Sequence, residues 1–364
     1  MREFPFTVGR LHLFIYIHSN MSFRFLGKLV CAVFLCTAFA RADEHGAETP
    51  ATDSTQAKNA SDNGAAPAEG NTLKVTTENI LSIVSIVLPH NALKNSESLH
   101  DWPFLAFAVP AWGYNLKLQQ DYGKALSLKG LAAGDVNFAG FGIKLDASVE
   151  LIHLLELGVQ TSLGTAINYG EASTFMGVYN PEKRDYEQDL VFTEYTYGVT
   201  YHSALTIPLL AFLPKSDWTK IILKGSAELT YSAYTGADDK QVWKAGNENS
   251  VNGFKYRYGG TLIYMLPFSR VPMAMVSANA SGFKHEYDFD ERYKDYTPGF
   301  VKVSITPMAS VKISDKWNGM LMVNISRDRV YENQPYPSTE EVLQKQVDSE
   351  WELKAVMFIA SRKF

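Results

Sequence analysis

Val301-Lys302-Val303-Ser304-Ile305-Thr306-Pro307-Met308-Ala309-Ser310-Val311-Lys312-Ile313 alternates residue by residue. Val301, Val303, Ile305, Pro307, Ala309, Val311 and Ile313 fall on one side; Lys302, Ser304, Thr306, Ser310 and Lys312 fall on the other. A period of two marks a β-strand with one apolar and one polar face, because successive Cβ atoms leave opposite sides of the pleat. The run exceeds the roughly five or six residues usual in soluble sheets and fits a tilted membrane span of roughly 9 to 11.

The same period recurs on both sides. Upstream, Phe141, Ile143, Leu145, Ala147 and Val149 oppose Lys144, Asp146, Ser148 and Glu150. After a tight turn at Ile152-His153, Leu155, Leu157, Val159 and Leu163 oppose Glu156, Gln160 and Ser162. Tyr197, Val199, Tyr201 and Leu205 oppose Glu194, Thr200 and His202, and Ile221, Leu223, Leu229 and Tyr231 oppose Lys224, Glu228 and Thr230. Phe254, Tyr256, Tyr258 and Leu262 oppose Lys255, Arg257 and Thr261; Ala274, Val276 and Ala278 oppose Ser277 and Asn279; downstream, Leu321, Val323 and Ile325 oppose Asn324, Ser326 and Asp328. Trp102–Leu118 alternates more weakly, since both of its faces are apolar. Trp102, Tyr169, Tyr201, Trp218, Tyr231, Trp317 and Trp351 gather near strand ends, where a membrane interface favours amphipathic rings.

The final stretch, Glu350 to Phe364, is extended and ends on an aromatic residue. It resembles the closing strand of bacterial outer-membrane β-barrels, in which that strand addresses the outer-membrane assembly machinery. The resemblance implies an all-β, transmembrane, antiparallel up-and-down barrel, with Phe364 as the targeting residue and outer-membrane lipid as surroundings. Trp351, Leu353, Ala355, Met357 and Ile359 share one parity and Phe364 the other, so a β-bulge is needed to bring Phe364 onto the lipid face. Beyond the amino-terminal region no apolar run is long enough for a membrane helix, and a chain spanning lipid without one must close its sheet.

Short links at 152–154, 208–216, 267–271 and 314–316 alternate with long ones at 119–136, 170–190, 236–252, 288–299 and 332–348. Five long and four short links join about ten strands, with eight or twelve as the bracketing counts, long loops outside and both termini in the periplasm. The barrel is expected over residues 102–364. Residues 72–101 are read as a short helix plugging the periplasmic mouth, from the helical spacing of Ile80, Ile83, Val84 and Val87, with an extra strand as the alternative.

Ahead of them, Asp43–Asn71 lacks aromatic and large aliphatic residues and reads as a disordered linker. Met21–Ala42 reads as a secretory signal: Arg24 and Lys28, an apolar Leu29–Ala40, then Ala40-Arg41-Ala42. Together with Met1–Asn20, read as an upstream extension, it makes residues 1–42 a leader, and the expected location is the outer membrane of a Gram-negative-type bacterium.

Composition narrows the function classes. Cys31 and Cys36, both near the start, are the only cysteines, which removes thiol and disulfide chemistry from the barrel region. A net charge of −5 without a basic cluster argues against nucleic acid. No glycine-rich phosphate loop and no Cys/His metal spacing is present, so no cofactor or metal is expected.

Lys144, Asp146, Glu156, Glu194, Lys224, Glu228, Arg257 and Lys302 fall on inward faces and are expected to form a charge network, either a salt-bridged plug or the lining of a solute path. Tyr179, Tyr186, Trp243, Tyr296 and Tyr336 lie on long loops and are candidate contacts for an external ligand. Neither of two enzymatic arrangements known in outer-membrane barrels is complete in this sequence. His285, Asp288 and Asp290 gather near a rim without the paired-Asp spacing of omptin-type proteases. His202 precedes Ser203 directly, which puts them on opposite faces, unlike the His-x-Ser of outer-membrane lipid hydrolases. The expected function is therefore non-enzymatic, a structural or loop-binding barrel. A narrow solute channel is the alternative, and a rim hydrolase centred on His285 the third reading.

Cleavage after Ala42 is expected to give a mature chain beginning at Asp43, which amino-terminal sequencing of membrane-extracted protein checks; retention of Met21 would contradict the signal.

Overall fold

The computed structural model describes residues 73–363, except 90–102, 124, 138–139, 167–175, 189–192, several positions between 212 and 219, 246–247 and 334–337. It also describes two paired two-residue strands, Thr7–Val8 and Leu11–His12, in a separate unit, Met1–Pro67. The signal, the linker, Tyr336 and Phe364 lie outside the described residues.

Twelve strands form one closed barrel. In chain order they are β1 Leu73–Pro89, β2 Phe104–Tyr122, β3 Leu126–Asn137, β4 Gly140–Leu151, β5 Leu155–Ala166 and β6 Thr196–Pro208. Then come β7 Ile221–Tyr234, β8 Gly253–Met265, β9 Met273–Phe283, β10 Lys302–Lys312, β11 Trp317–Tyr331 and β12 Gln346–Lys363. Each pairs antiparallel with the next, and β12 returns to β1 from Val356↔Val87 to Lys363↔Ile80. Every strand has at least 11 residues, enough for a tilted span.

The count is twelve rather than about ten, and both additional strands have a physical reason. Residues 73–89 are a barrel strand, not a plug helix; their outward Leu81, Ile83 and Val87 and inward Ile80, Val84 and Ile86 are all apolar, so no clean alternation shows. Residues 119–136 are not an external loop. β2 continues to Tyr122, the chain turns at Gly123 (φ +65°, a left-handed conformation open to glycine), and β3 follows. Gly130, Ala132, Ala133 and Gly134 blur the period of β3. Links 167–195, 235–252, 284–301 and 332–345 all leave one end of the barrel, hereafter the loop end. The chain ends of β1 and β12 lie at the other, terminal end.

One register detail sets the faces. The pairing of β11 with β12 shifts between Asn324↔Ala355 and Ile325↔Leu353, leaving Lys354 as the extra residue. Trp351 and Leu353 are exposed on the exterior, and past the bulge the exterior parity becomes that of Val356, Phe358 and Ala360. That is the parity of position 364, as the expected bulge requires. The exterior is largely apolar: Ile143, Leu163, Leu223, Leu262, Val276, Ile305 and Leu321 are all exposed there.

Ile305→Arg and Thr306→Arg change neighbouring residues on opposite faces. At the midplane of a bilayer an outward Arg costs roughly 2–4 kcal/mol. Ile305→Arg should lower the folded fraction in liposomes, read as loss of the heat-modifiable band on SDS gels, while Thr306→Arg should stay near wild type. Equal behaviour, or folding of the wild-type barrel in buffer without lipid or detergent, would contradict a lipid-facing exterior.

Candidate functional site: the barrel lumen and its loop cap

Inward polar side chains form clusters along the wall. Lys129 of β3 bonds Glu150 of β4 and lies 3.2 Å from Glu156 of β5. His153 Nδ1 is 2.7 Å from the other Glu150 oxygen. On β6, His202 Nε2 reaches Asp146 Oδ2 on β4 at 2.8 Å. The imidazole crosses β5 at Gly158, its cross-strand partner, where an added Cβ would sit 2.5 Å from ring atoms. Glycine there is a condition for the His202–Asp146 bond. Glu228 and Arg257, direct partners on β7 and β8, are 3.7 Å apart. Toward the loop end, Lys354 contacts Asp328 and Glu352, each at 2.5 Å, and Lys302 approaches Asp328 at 3.9 Å. At the terminal end Lys117 pairs with Glu78 and Lys74 with Asp121, at 2.8 and 3.3 Å.

Each of these pairs joins strands no more than two apart, so they brace the wall and do not bridge the lumen. The salt-bridged plug suited a barrel narrow enough for facing side chains to meet; twelve strands are wider than the eight whose interior side chains fill. The inward Arg257 side chain is 59% exposed and that of Lys302 42%. Lys144 and Lys224 are exposed and make no ion pair among the described residues. Glu194 leaves the network: it precedes β6 at the loop end and accepts a hydrogen bond from the Thr235 hydroxyl.

The rest of the wall is apolar. Ile222, Ile263, Met275, Met308, Met322, Met357, Ile86 and Phe107 form one row on β7 to β12, β1 and β2, each the direct cross-strand partner of the next. Their parity is that of Thr306, Asn324 and Ser361, opposite to exposed Leu262, Val276 and Leu321, so they face inward. A second row runs alongside through Met265, Met273, Ser310, Met320, Ile359, Val84 and Val109. The two rows hold seven of the chain's ten methionines. Thr261, Ser277 and Asn324 border the stripe on one side, and Lys312, Asn318 and Ser361 on the other.

At the loop end the described parts of these four links fold together. Glu248–Ser250, Trp243–Ala245, Met176–Asn180 and Asp185–Gln188 make a small antiparallel sheet. The 3-10 helices Glu286–Asp288, Glu291–Tyr296 and Ser338–Leu343 join it. Their shared core contains Tyr179, Tyr186, Val242, Val251, Phe289, Tyr293, Tyr296 and Val342, with Met176, Val178, Tyr234 and Trp243 in a second cluster. Inward Tyr234 at the end of β7 belongs to the second cluster, and Phe283 at the end of β9 packs against the first. The cap is therefore seated on the lumen side of the rim. Tyr179–Tyr186 and Phe283–Phe289 are edge-to-face pairs at 5.1 and 4.8 Å, each worth roughly 0.5–1.5 kcal/mol beyond burial.

This corrects the reading of the loop aromatics as ligand contacts. Tyr179, Tyr186, Trp243 and Tyr296 are 0%, 5%, 4% and 5% exposed; they hold loops together because four neighbouring loops can bury rings that one loop cannot. At the proposed hydrolase rim, Asp290 caps the Glu291–Tyr296 turn and pairs with Arg292, which holds its carboxyl below the usual range. Ser203 lies outward of His202 and bonds the Ala227 carbonyl. Sequence reasoning missed Lys129, which sits on the strand mistaken for a loop, and the pairing of Lys354, which the bulge positions.

Two charges sit inside the cap. Loss of hydration pushes the Glu341 carboxyl up, with Lys244 opposing; loss of hydration pushes the Lys244 ammonium down, with Glu341 and Asp185 opposing. Lys244 also lies 5.5 Å over the Tyr186 ring.

No protein-family model matches the chain, and no curated protein matches it. Similar solved structures include an outer membrane channel from Pseudomonas putida F1, 11% identical, covering 83% of this chain and 100% of that one at a TM-score of 0.38. The outer membrane channel DcaP of Acinetobacter baumannii is 9% identical, over 80% of this chain and 97% of that one, with a TM-score of 0.37. The translocator domain of the autotransporter NalP from Neisseria meningitidis is 8% identical, over 82% and 90%, with a TM-score of 0.33. The likeness is one of barrel form. What the chain does has to follow from its own lumen and cap.

The raised Glu341 pKa gives the cap a pH dependence with a definite sign. The folded cap binds this proton more tightly than the unfolded chain, so its contribution to stability is full at low pH and is lost as pH rises through the raised value. Amide exchange at Val242 and Val342 should be slower near pH ~5 than near pH ~8, after correction for intrinsic rates. Glu341→Gln should remove the difference; an unchanged difference would locate the effect elsewhere.

Proposed function

We propose that this chain is an outer-membrane channel with a hydrated lumen, whose outer mouth is narrowed by the folded loop cap. The observation that carries the reading is the exposure of inward charges, Arg257 above all, on a wall where the ion pairs described above join strands no more than two apart. A barrel packed shut would bury those groups or pair them across its axis, since an unpaired buried charge is costly. Outer-membrane placement is supported by the apolar exterior and by closure, because lipid leaves no open sheet edge unpaired. The loop end then faces outward and the terminal end faces the periplasm, as in barrels that carry long loops outside. A purely loop-binding role is less well supported, because the aromatics that would make contacts form the cap's own core.

Planar-bilayer recording of the full chain tests this. Wild type should show discrete ion conductance. Val342→Asp places a carboxylate at a position that is 0% exposed in the cap core and should loosen the cap. That variant should conduct with larger or longer openings while keeping the barrel's heat-modifiable gel shift. Absence of conductance from both folded proteins would overturn the reading.

A further inference from the structure

The apolar stripe inside the lumen serves neither closure nor membrane residence. Backbone pairing closes the barrel whatever side chains face inward, and the exterior is already apolar at Ile305 and Leu321. Ions gain nothing from a continuous apolar row, whereas a solute with apolar surface loses contact with water by lying on it. Strands of a closed barrel tilt against its axis, so a hydrogen-bonded row climbs as it crosses them. This one starts at Ile222, beside the terminal end of β7, and finishes at Phe107, beside the loop end of β2. It therefore leads from one mouth to the other.

Methionine dominates its middle. An unbranched thioether side chain adapts to ligands of varied shape and suits a surface along which a molecule moves better than a fixed pocket does. At the foot of the row stands Lys224, two residues from Ile222 on the same inward face, exposed and without an ion pair among the described residues.

We propose that the stripe is the path of a linear amphiphile, an apolar chain lying along the methionines with its anionic head group drawn to Lys224. The proposal rests on the hydrated-lumen reading and names the class of solute for it.

Oxidative footprinting tests both and separates their failures. The full chain in liposomes is treated with a water-soluble hydroperoxide, and sulfoxide at each methionine is followed by peptide mass spectrometry, with decanoate, decanol or glucose present. Met176, 1% exposed in the cap core, is the protected reference. Lumen methionines such as Met308 and Met322 should oxidise much faster than Met176, and decanoate should slow them by about tenfold while glucose has no effect. Met308→Gln with Met322→Gln should raise the half-protecting decanoate concentration by about tenfold, read at the remaining lumen methionines, whereas the Met→Leu pair should leave it unchanged. Lys224→Gln should weaken protection by decanoate and not by decanol. Fast oxidation that decanoate does not slow would overturn the amphiphile path and leave the hydrated channel standing. Oxidation as slow as that of Met176 would mean a dry lumen and would overturn both. Equal effects of Lys224→Gln on decanoate and decanol would overturn the anionic head group.

Discussion

Everything in this barrel depends on the seam at which β12 meets β1. Until Val356 to Lys363 pair with Val87 to Ile80, two strands present unpaired amide and carbonyl groups along that stretch. In water such an edge is a liability; in lipid it is prohibitive. The seam therefore requires a first strand at Leu73–Pro89, whatever the local pattern of that segment suggests. It also fixes an even number of strands, with the start of β1 at Leu73 and the end of β12 at Lys363 on one side. The bulge at Lys354 belongs to the same constraint: it turns Val356 and Phe358 outward on the side that meets β1 and leaves Glu352 and Lys354 inward beside Asp328.

Closure with twelve strands decides how the interior is used. A narrower barrel would press opposing side chains together and make ion pairs its core. Here the pairs run between near neighbours along the wall, and Gly158 is spared a side chain so that His202 can reach across one strand to Asp146. The tightly packed hydrophobic core has moved to the loop end, where links between four pairs of strands pool their aromatic residues. Wall and cap thus draw on different forces: backbone pairing and an apolar exterior hold the wall, and buried rings hold the cap. The cap can then loosen without opening the barrel.

Much of this was legible in the sequence. Strict alternation in residues such as Val303 to Val311 fixes a β-strand whatever the environment, because the pleat sends successive side chains to opposite faces. The parity conflict between Trp351 and Phe364 pointed by the same rule to a bulge, if Phe364 was to share the lipid face. Inward placement of Asp146, His202, Glu228 and Arg257 followed from their apolar neighbours on either side.

Tertiary structure alone decided the rest. Leu73–Pro89 has no legible period because its inner face lies on the apolar stripe and its outer face on the exterior; only pairing with β12 and β2 shows it to be a strand. The stripe itself is invisible along the chain, since Ile222, Met308 and Phe107 are far apart in sequence and join only through cross-strand register. Tyr179 and Trp243 looked like surface contacts because a loop read in isolation has nothing to bury them against. Sequence determines which face a residue takes on its own strand. Which residues from other strands share that face is set by closure, because register is a property of pairs of strands and not of either one.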